Sequence, residues 1–166
     1  MKLNRSEIRK IILQEIKILL EDIVPKSESG VVIDKNLSRC IQYEALIQEF
    51  CEFCADFLDI REPILIKIVN NRNAEGVRTT ADYNPENHRI RVYGKNRAIV
   101  DICRSIAHEM THMGQMISGR LQFPVRDAGG EIEDEANAKA GEIIKLFAKS
   151  HPDRKAIYEN KLYRVI

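Results

Sequence analysis

The sequence lacks long apolar runs and any excess of charge of one sign. No stretch of about 18 consecutive apolar residues occurs, so no transmembrane helix is predicted. The 26 basic residues nearly balance the 25 acidic ones, for a net charge of +1, which predicts neither nucleic acid nor a membrane as a partner. At 166 residues, 44% of them hydrophobic, the chain is long enough to form one domain with a core. Composition specifies no oligomeric state.

The first 22 residues, MKLNRSEIRKIILQEIKILLED, also lack the apolar centre of a secretory signal, because charged residues interrupt them throughout. Cytoplasmic localisation is therefore expected, with reduced thiols at Cys40, Cys51, Cys54 and Cys103. Cys51 and Cys54 form a CxxC with no second CxxC to complete a zinc site. They lie on an apolar helical stretch, which predicts small buried hydrophobic residues.

Hydrophobic periodicity predicts an α+β protein. An N-terminal helix and linker, 1–30, are expected to precede a domain over 31–166. The helix itself is predicted over 6–22. The later elements are a helix over 36–59, a strand over 64–69, a hairpin over 77–94 with its turn at 84–87, helices over 97–118 and 131–149, and a short helix in the tail. In the second strand of the hairpin, alternation predicts one face with His88, Ile90 and Val92 and the other with Arg89, Arg91 and Tyr93.

Two histidines stand four residues apart in the segment IAHEMTHMGQ, 106–115, and Glu109 directly follows the first. At about 100° per residue, His108 and His112 lie one helical turn apart on the same side. The opposite side carries the apolar residues Ile99, Ile102, Cys103, Ile106, Met110, Met113 and Ile117. The helix therefore has a core face that does not need the histidines. Two such imidazoles can bind one Zn²⁺, and Glu109 beside them can hold a zinc-bound water and accept its proton.

A catalytic zinc site needs a third protein ligand. The spacing HExxHxxGxxH is absent, and His151 stands beside a proline at a predicted helix end. The acidic run GGEIEDEANAKAGEIIKLF remains. Its helical period places Glu133 on the apolar face and Glu135 on the face toward water. A carboxylate entering a core is costly unless it is paired or binds a metal. The alternative is that these acids only complement the helix N-terminus.

Further residues of these helices are predicted to support the ligands. Asn137 lies one turn after Glu133 and can hydrogen bond a ligand imidazole. Gln115 shares the histidine side of its helix, as an outer hydrogen-bond partner or a substrate contact. Asp101 and Ser105 lie on that side too.

The stretches HEMTH, 108–112, and EDEAN, 133–137, together resemble the gluzincin metallopeptidases, in which a glutamate on a following helix joins HExxH. The second stretch is similar to ExEANxFA of the ImmA/IrrE-like peptidases. The resemblance implies a minimal zincin-like fold: a mixed sheet of about three to four strands packed on the two helices, with N-terminal helices. It implies Zn²⁺ on His108, His112 and Glu133, a polypeptide substrate laid along the hairpin edge, and Glu109 as catalytic base of peptide hydrolysis.

The residue that steadies the oxyanion in larger gluzincins has no unique counterpart, and Tyr158, Tyr163, Arg126 and His151 are the possible positions. One alternative is thus a zinc-bound regulator of ImmA/IrrE-like type that holds a protein without cleaving it. Another is a helical interaction protein with a fortuitous motif. A SprT-like DNA-associated protease is disfavoured, because such proteins use a third histidine. The N-terminus also resembles those of marine phage proteins, which would place the chain in a host cytoplasm.

Overall fold

The computed structural model describes residues 29–71, 79–122 and 129–159, which form an α+β fold with one four-stranded mixed sheet. The strands are β1 (Gly30–Ile33), β2 (Leu65–Val69), β3 (Ala81–Asn84) and β4 (Arg89–Tyr93). The helices are α1 (Ser38–Gln42), α2 (Glu44–Leu58), α3 (Ile99–Ile117) and α4 (Glu131–Ser150), followed by a 3₁₀ helix (Pro152–Tyr158). The predicted α+β class and small mixed sheet are confirmed. The predicted helix over 6–22, Arg126 and Tyr163 lie outside the described residues.

The strand order is β1-β2-β4-β3, with β1, β2 and β4 parallel and β3 antiparallel to β4. Among the strands that the structure describes, β3 therefore forms one edge of the sheet. The predicted alternation in β4 is confirmed, since Ile90 and Val92 are buried and Arg91 between them is not. His88 was predicted to share their face but precedes the strand at a φ of 49°, because the chain reverses there.

Two elements differ from the prediction. β1 was not predicted, because GVVI is short and its partner β2 is parallel, so no hairpin turn marks the pairing. The single helix expected over 36–59 is broken at Tyr43, which has a φ of −104° and a ψ of 14°. The break divides the predicted helix into α1 and α2. Cys40 of α1 lies close to Gly94. A Cβ on Gly94 would stand 2.6 Å from a methyl of Ile68, so this packing requires glycine.

The core lies where α3 packs on β3 and β4 and against α2 and α4. Phe147 of α4 meets Phe50 of α2 edge to face, with ring centroids 5.1 Å apart. All four cysteines are buried, which confirms Cys51 and Cys54 as core residues. Within the described ranges, no helix is both long and apolar enough to cross a membrane.

The C-terminus of α3 is fixed by a Schellman motif. The Gly119 amide donates to Met116 O at 3.0 Å, and the Arg120 amide donates to Gln115 O at 2.9 Å. Gly119 has a φ of 74°, in the left-handed region that side chains disfavour. The motif ends α3 after Ile117 and turns the chain toward α4.

Gly119→Ala is expected to destabilise the protein by about 1–2 kcal/mol, because an L-residue is strained in the left-handed region. The matched control is Gly114→Ala in the interior of α3, where an added Cβ also meets nothing within 4 Å. That change should stabilise by about 0.5–1 kcal/mol through helix propensity. Urea unfolding measures both free energies, and a Gly119→Ala protein as stable as the parent would contradict the assignment.

Candidate metal and catalytic site

The two histidines of α3 converge on one point beside the α4 helix. His108 and His112 stand one turn apart, with their Nε2 atoms 3.0 Å from each other and their rings nearly perpendicular. Both side chains are mostly buried, with 21% and 12% of their surface exposed. The remaining face of α3 is filled by core residues, so neither imidazole is needed for packing.

Glu133, in the first turn of α4, supplies a carboxylate at the same point. Its Oε2 lies 3.3 Å from Nε2 of His108, and its Oε1 lies 3.1 Å from Nε2 of His112. Ala136 and Ala140, fully buried on the same face of α4, leave room for α3 to approach. Glu133, which helical periodicity places on the inward face of α4, therefore contacts both imidazoles.

The spacing of these three groups fits zinc. Ligand atoms about 2.0–2.1 Å from one tetrahedral metal ion lie about 3.3 Å from one another. The two Nε2 atoms are 3.0 Å apart, and the Glu133 carboxylate approaches that of His112 through Oε1 at 3.1 Å and that of His108 through Oε2 at 3.3 Å. Imidazole nitrogen and carboxylate oxygen are both zinc ligands, and three protein ligands leave one position open. Within the described ranges, this is the one group of three His, Cys, Asp or Glu side chains with metal-binding spacing.

The protonation state of His108 also suits a metal ligand. Burial lowers its pKa, and the neighbouring His112 lowers it further, while Glu133 and a hydrogen bond with Asn137 act in the opposite direction. A lowered pKa keeps the imidazole neutral near pH 7, which is the form that binds metal. Asn137 hence hydrogen bonds His108, one of the two imidazoles that it was predicted to reach.

Glu109 lies on α3 beside the imidazoles and lines the same cavity. Burial raises its pKa to about 8, and the nearby carboxylates of Asp82 and Glu133 add to the effect. Its carboxylate is not among the three converging ligand atoms. Glu109 therefore lies beside the group of His108, His112 and Glu133 without being part of it.

A cavity of about 990 Å³ opens over this group. One wall is α3, where the predicted Asp101 and Ser105 line the cavity together with the histidines, and a second wall is the start of α4. The third wall is the β3 edge strand with the two residues before it, Thr79 and Thr80. The group of His108, His112 and Glu133 therefore lies in a cleft that has the edge strand β3 along one wall.

Two predicted oxyanion candidates lie elsewhere. Tyr158, on the 3₁₀ helix, is 45% exposed and does not line the cavity. His151 ends α4, where its Nδ1 accepts a hydrogen bond from the Asp153 amide at 3.3 Å. At about 1.5 Å per residue, the 18 residues from Glu133 place His151 roughly 27 Å along the helix. The interpretation of His151 as a helix-end residue is confirmed.

The sequence did not single out two cavity residues of β3, Asp82 and Tyr83. Asp82 is held by Arg91, whose Nε donates to its Oδ1 at 2.9 Å. The hydroxyl of Tyr83 lies 3.0 Å from Nδ1 of His88, and burial, followed by Glu62, raises its pKa to about 12. No local sequence signal identified them, because the place of β3 beside α3 at the sheet edge follows from the parallel pairing of β4 with β2.

Comparisons of the chain with protein-family models, with curated proteins and with solved structures find no match. A functional assignment accordingly depends on the geometry of the chain's own residues, chiefly His108, His112, Glu133 and Glu109.

Proposed function

We propose that this protein is a zinc-dependent metallopeptidase with a zincin-like fold of the minimal gluzincin type. The observation that carries the proposal is the convergence of His108, His112 and Glu133, whose ligand atoms all lie within 4.8 Å of one another, with Glu109 in the same cavity. The order of an edge strand, an HExxH helix and a glutamate-bearing helix supports the finer fold assignment.

The residues divide the chemistry between them. Zn²⁺ on the three ligands would supply Lewis acidity, polarising a scissile carbonyl and lowering the pKa of a coordinated water. Glu109 would accept a proton from the attacking water on its carboxylate and pass it to the leaving amine. Gln115 and Asn137 would hold the two imidazoles in place.

A polypeptide fits the cleft because β3 is an edge strand. Its outer backbone groups face away from β4, and an extended peptide can pair with such an edge as an added strand. Pairing through the main chain would lay consecutive peptide bonds along the cavity wall formed by Thr80, Ala81 and Asp82. The substrate class proposed is therefore an extended segment of protein.

A second candidate is a zinc-bound regulator that holds a protein partner through the same edge without cleaving it. The observation in its favour is that Tyr158 and His151, the two oxyanion candidates among the described residues, lie away from the cavity. Both candidate functions require zinc, and only the peptidase requires Glu109 as a base.

Purified protein is expected to contain one zinc per chain. At free zinc about 100-fold above the dissociation constant, binding stabilises by about 2.7 kcal/mol, so a chelator should lower the melting temperature by about 5–10 °C. Metal analysis and thermal unfolding measure the two effects, and His151→Ala should change neither. A chain without zinc, indifferent to the chelator, would instead support an interaction protein with a fortuitous motif.

A further inference from the structure

Gln115 is one of two buried polar side chains among the described residues, and it is completely buried. The other, Thr111, is satisfied within its own helix, where its hydroxyl donates to Ala107 O at 2.8 Å. A buried amide is costly unless its donor and acceptor groups find hydrogen-bond partners. Gln115 instead reaches out of α3 on the side of the ligand group.

The hydrogen bonds of Gln115 fix the orientation of its amide. Nε2 lies 2.9 Å from the Ile132 carbonyl oxygen and 3.0 Å from Oε2 of Glu135. Both partners are acceptors, so the group facing them must be the NH₂ donor. Oε1 is then the atom that lies 2.7 Å from Nδ1 of His112.

This orientation determines the tautomer of His112. An amide oxygen only accepts, so Nδ1 of the imidazole must carry the hydrogen that it donates. In the neutral ring Nε2 then holds a lone pair, and this is the atom that faces Glu133 and His108. The tautomer selected is the one that can bind a metal through Nε2.

The same amide also holds the turn that carries Glu133. Its two donor contacts, Ile132 and Glu135, flank Glu133 in the first turn of α4. Glu135 is further bound by Arg120, at 2.7 Å, and by Lys139, at 3.1 Å. Glu135 is therefore held from three sides, by Gln115, Arg120 and Lys139.

We propose that Gln115 is a positioning residue of the metal site: it sets His112 in the Nδ1–H tautomer and ties that imidazole to the α4 turn bearing Glu133. The inference rests on the metal site of the proposed function and not on peptide cleavage. Gln115 touches neither substrate nor the reacting atoms, and its effect is exerted through His112 and Glu133.

The first test uses the metal-free full chain and nitrogen-15 NMR of the imidazoles at a pH where they are neutral. His112 is expected as the Nδ1–H tautomer in the parent protein, and Gln115→Met should redistribute the proton between the two nitrogens. Gln48→Met, the same substitution on α2, should leave His112 unchanged. An Nε2–H tautomer in the parent chain would overturn the inference without reference to any variant.

The second test is zinc affinity, measured by competition with a chromophoric chelator. Gln115→Met should weaken binding by about 10–100-fold, the loss typical of an outer hydrogen-bond partner, while Gln48→Met should not. The Co²⁺ absorption spectrum should shift with Gln115→Met, because the ligand geometry loosens. If the parent protein and Gln115→Met bind zinc with equal affinity, this inference alone is overturned. If the parent protein binds no zinc, the proposed function is overturned.

Discussion

Glu109→Gln is expected to slow peptide cleavage by at least about 100-fold while leaving the zinc content of the protein unchanged. The carboxylate is not among the three converging ligand atoms, so its replacement by an amide of the same shape removes no ligand. An amide cannot accept a proton at neutral pH, and loss of a positioned general base typically costs about 10²–10⁴-fold in rate. The measurement is the cleavage rate of a proteome-derived peptide mixture, followed by mass spectrometry, alongside metal analysis.

Glu142→Gln is the matched control, because it makes the same change of charge at an exposed position of α4. It should retain the cleavage rate and zinc content of the parent protein. If Glu109→Gln cleaves at the parent rate, Glu109 is not the base. A different outcome is that neither Glu109→Gln nor Glu142→Gln cleaves any peptide, while both contain zinc and have the same activity in cells. The non-cleaving regulator is then the better description.

Helical periodicity was sufficient for the parts of the site that lie on regular helices. The polar side of α3 and the inward face of α4 were predicted from the spacing of apolar residues, and the structure joins them at His108, His112 and Glu133. Periodicity succeeded because both helices are long and each must bury one face. It failed at the last turn, since Ile117 was assigned to the core and is 44% exposed.

Other features depend on contacts that a one-dimensional pattern does not contain. Glu135 was predicted to face water, yet only 26% of its side chain is exposed, because Arg120 and Lys139 pair with it. Arg120 reaches Glu135 only after Gly119 has reversed the chain. The hydrogen bonds of Gln115 to two residues of α4 likewise require the docking of the helices.

The hairpin shows the same division between local and tertiary information. Its turn and the alternation of β4 were evident from residue type, whereas the position of β3 at the sheet edge follows from β4 pairing with β2 in parallel. Parallel pairing over a long connection leaves no local signal. Asp82 and Tyr83 therefore became visible as cavity residues only in the folded chain.

Glu133→Ala is expected to weaken zinc binding by more than about 100-fold, which is the upper end of what loss of an outer partner costs. The substitution removes one of three protein ligands and leaves two imidazoles, too few for a catalytic zinc site. Equilibrium competition with a chromophoric chelator measures the affinity. Peptide cleavage should be lost with the metal.

Asp134→Ala separates this expectation from the simpler account in which the acidic residues only complement the N-terminus of α4. Asp134 is exposed, is adjacent in the first turn, and carries the same charge. The dipole account predicts that both variants lose about 0.3–1 kcal/mol of stability and bind zinc like the parent. The ligand account predicts parental zinc affinity for Asp134→Ala alone. If Glu133→Ala and Asp134→Ala bind zinc with equal affinity, Glu133 is not a metal ligand. Its carboxylate would then act only as a negative charge at the N-terminus of α4.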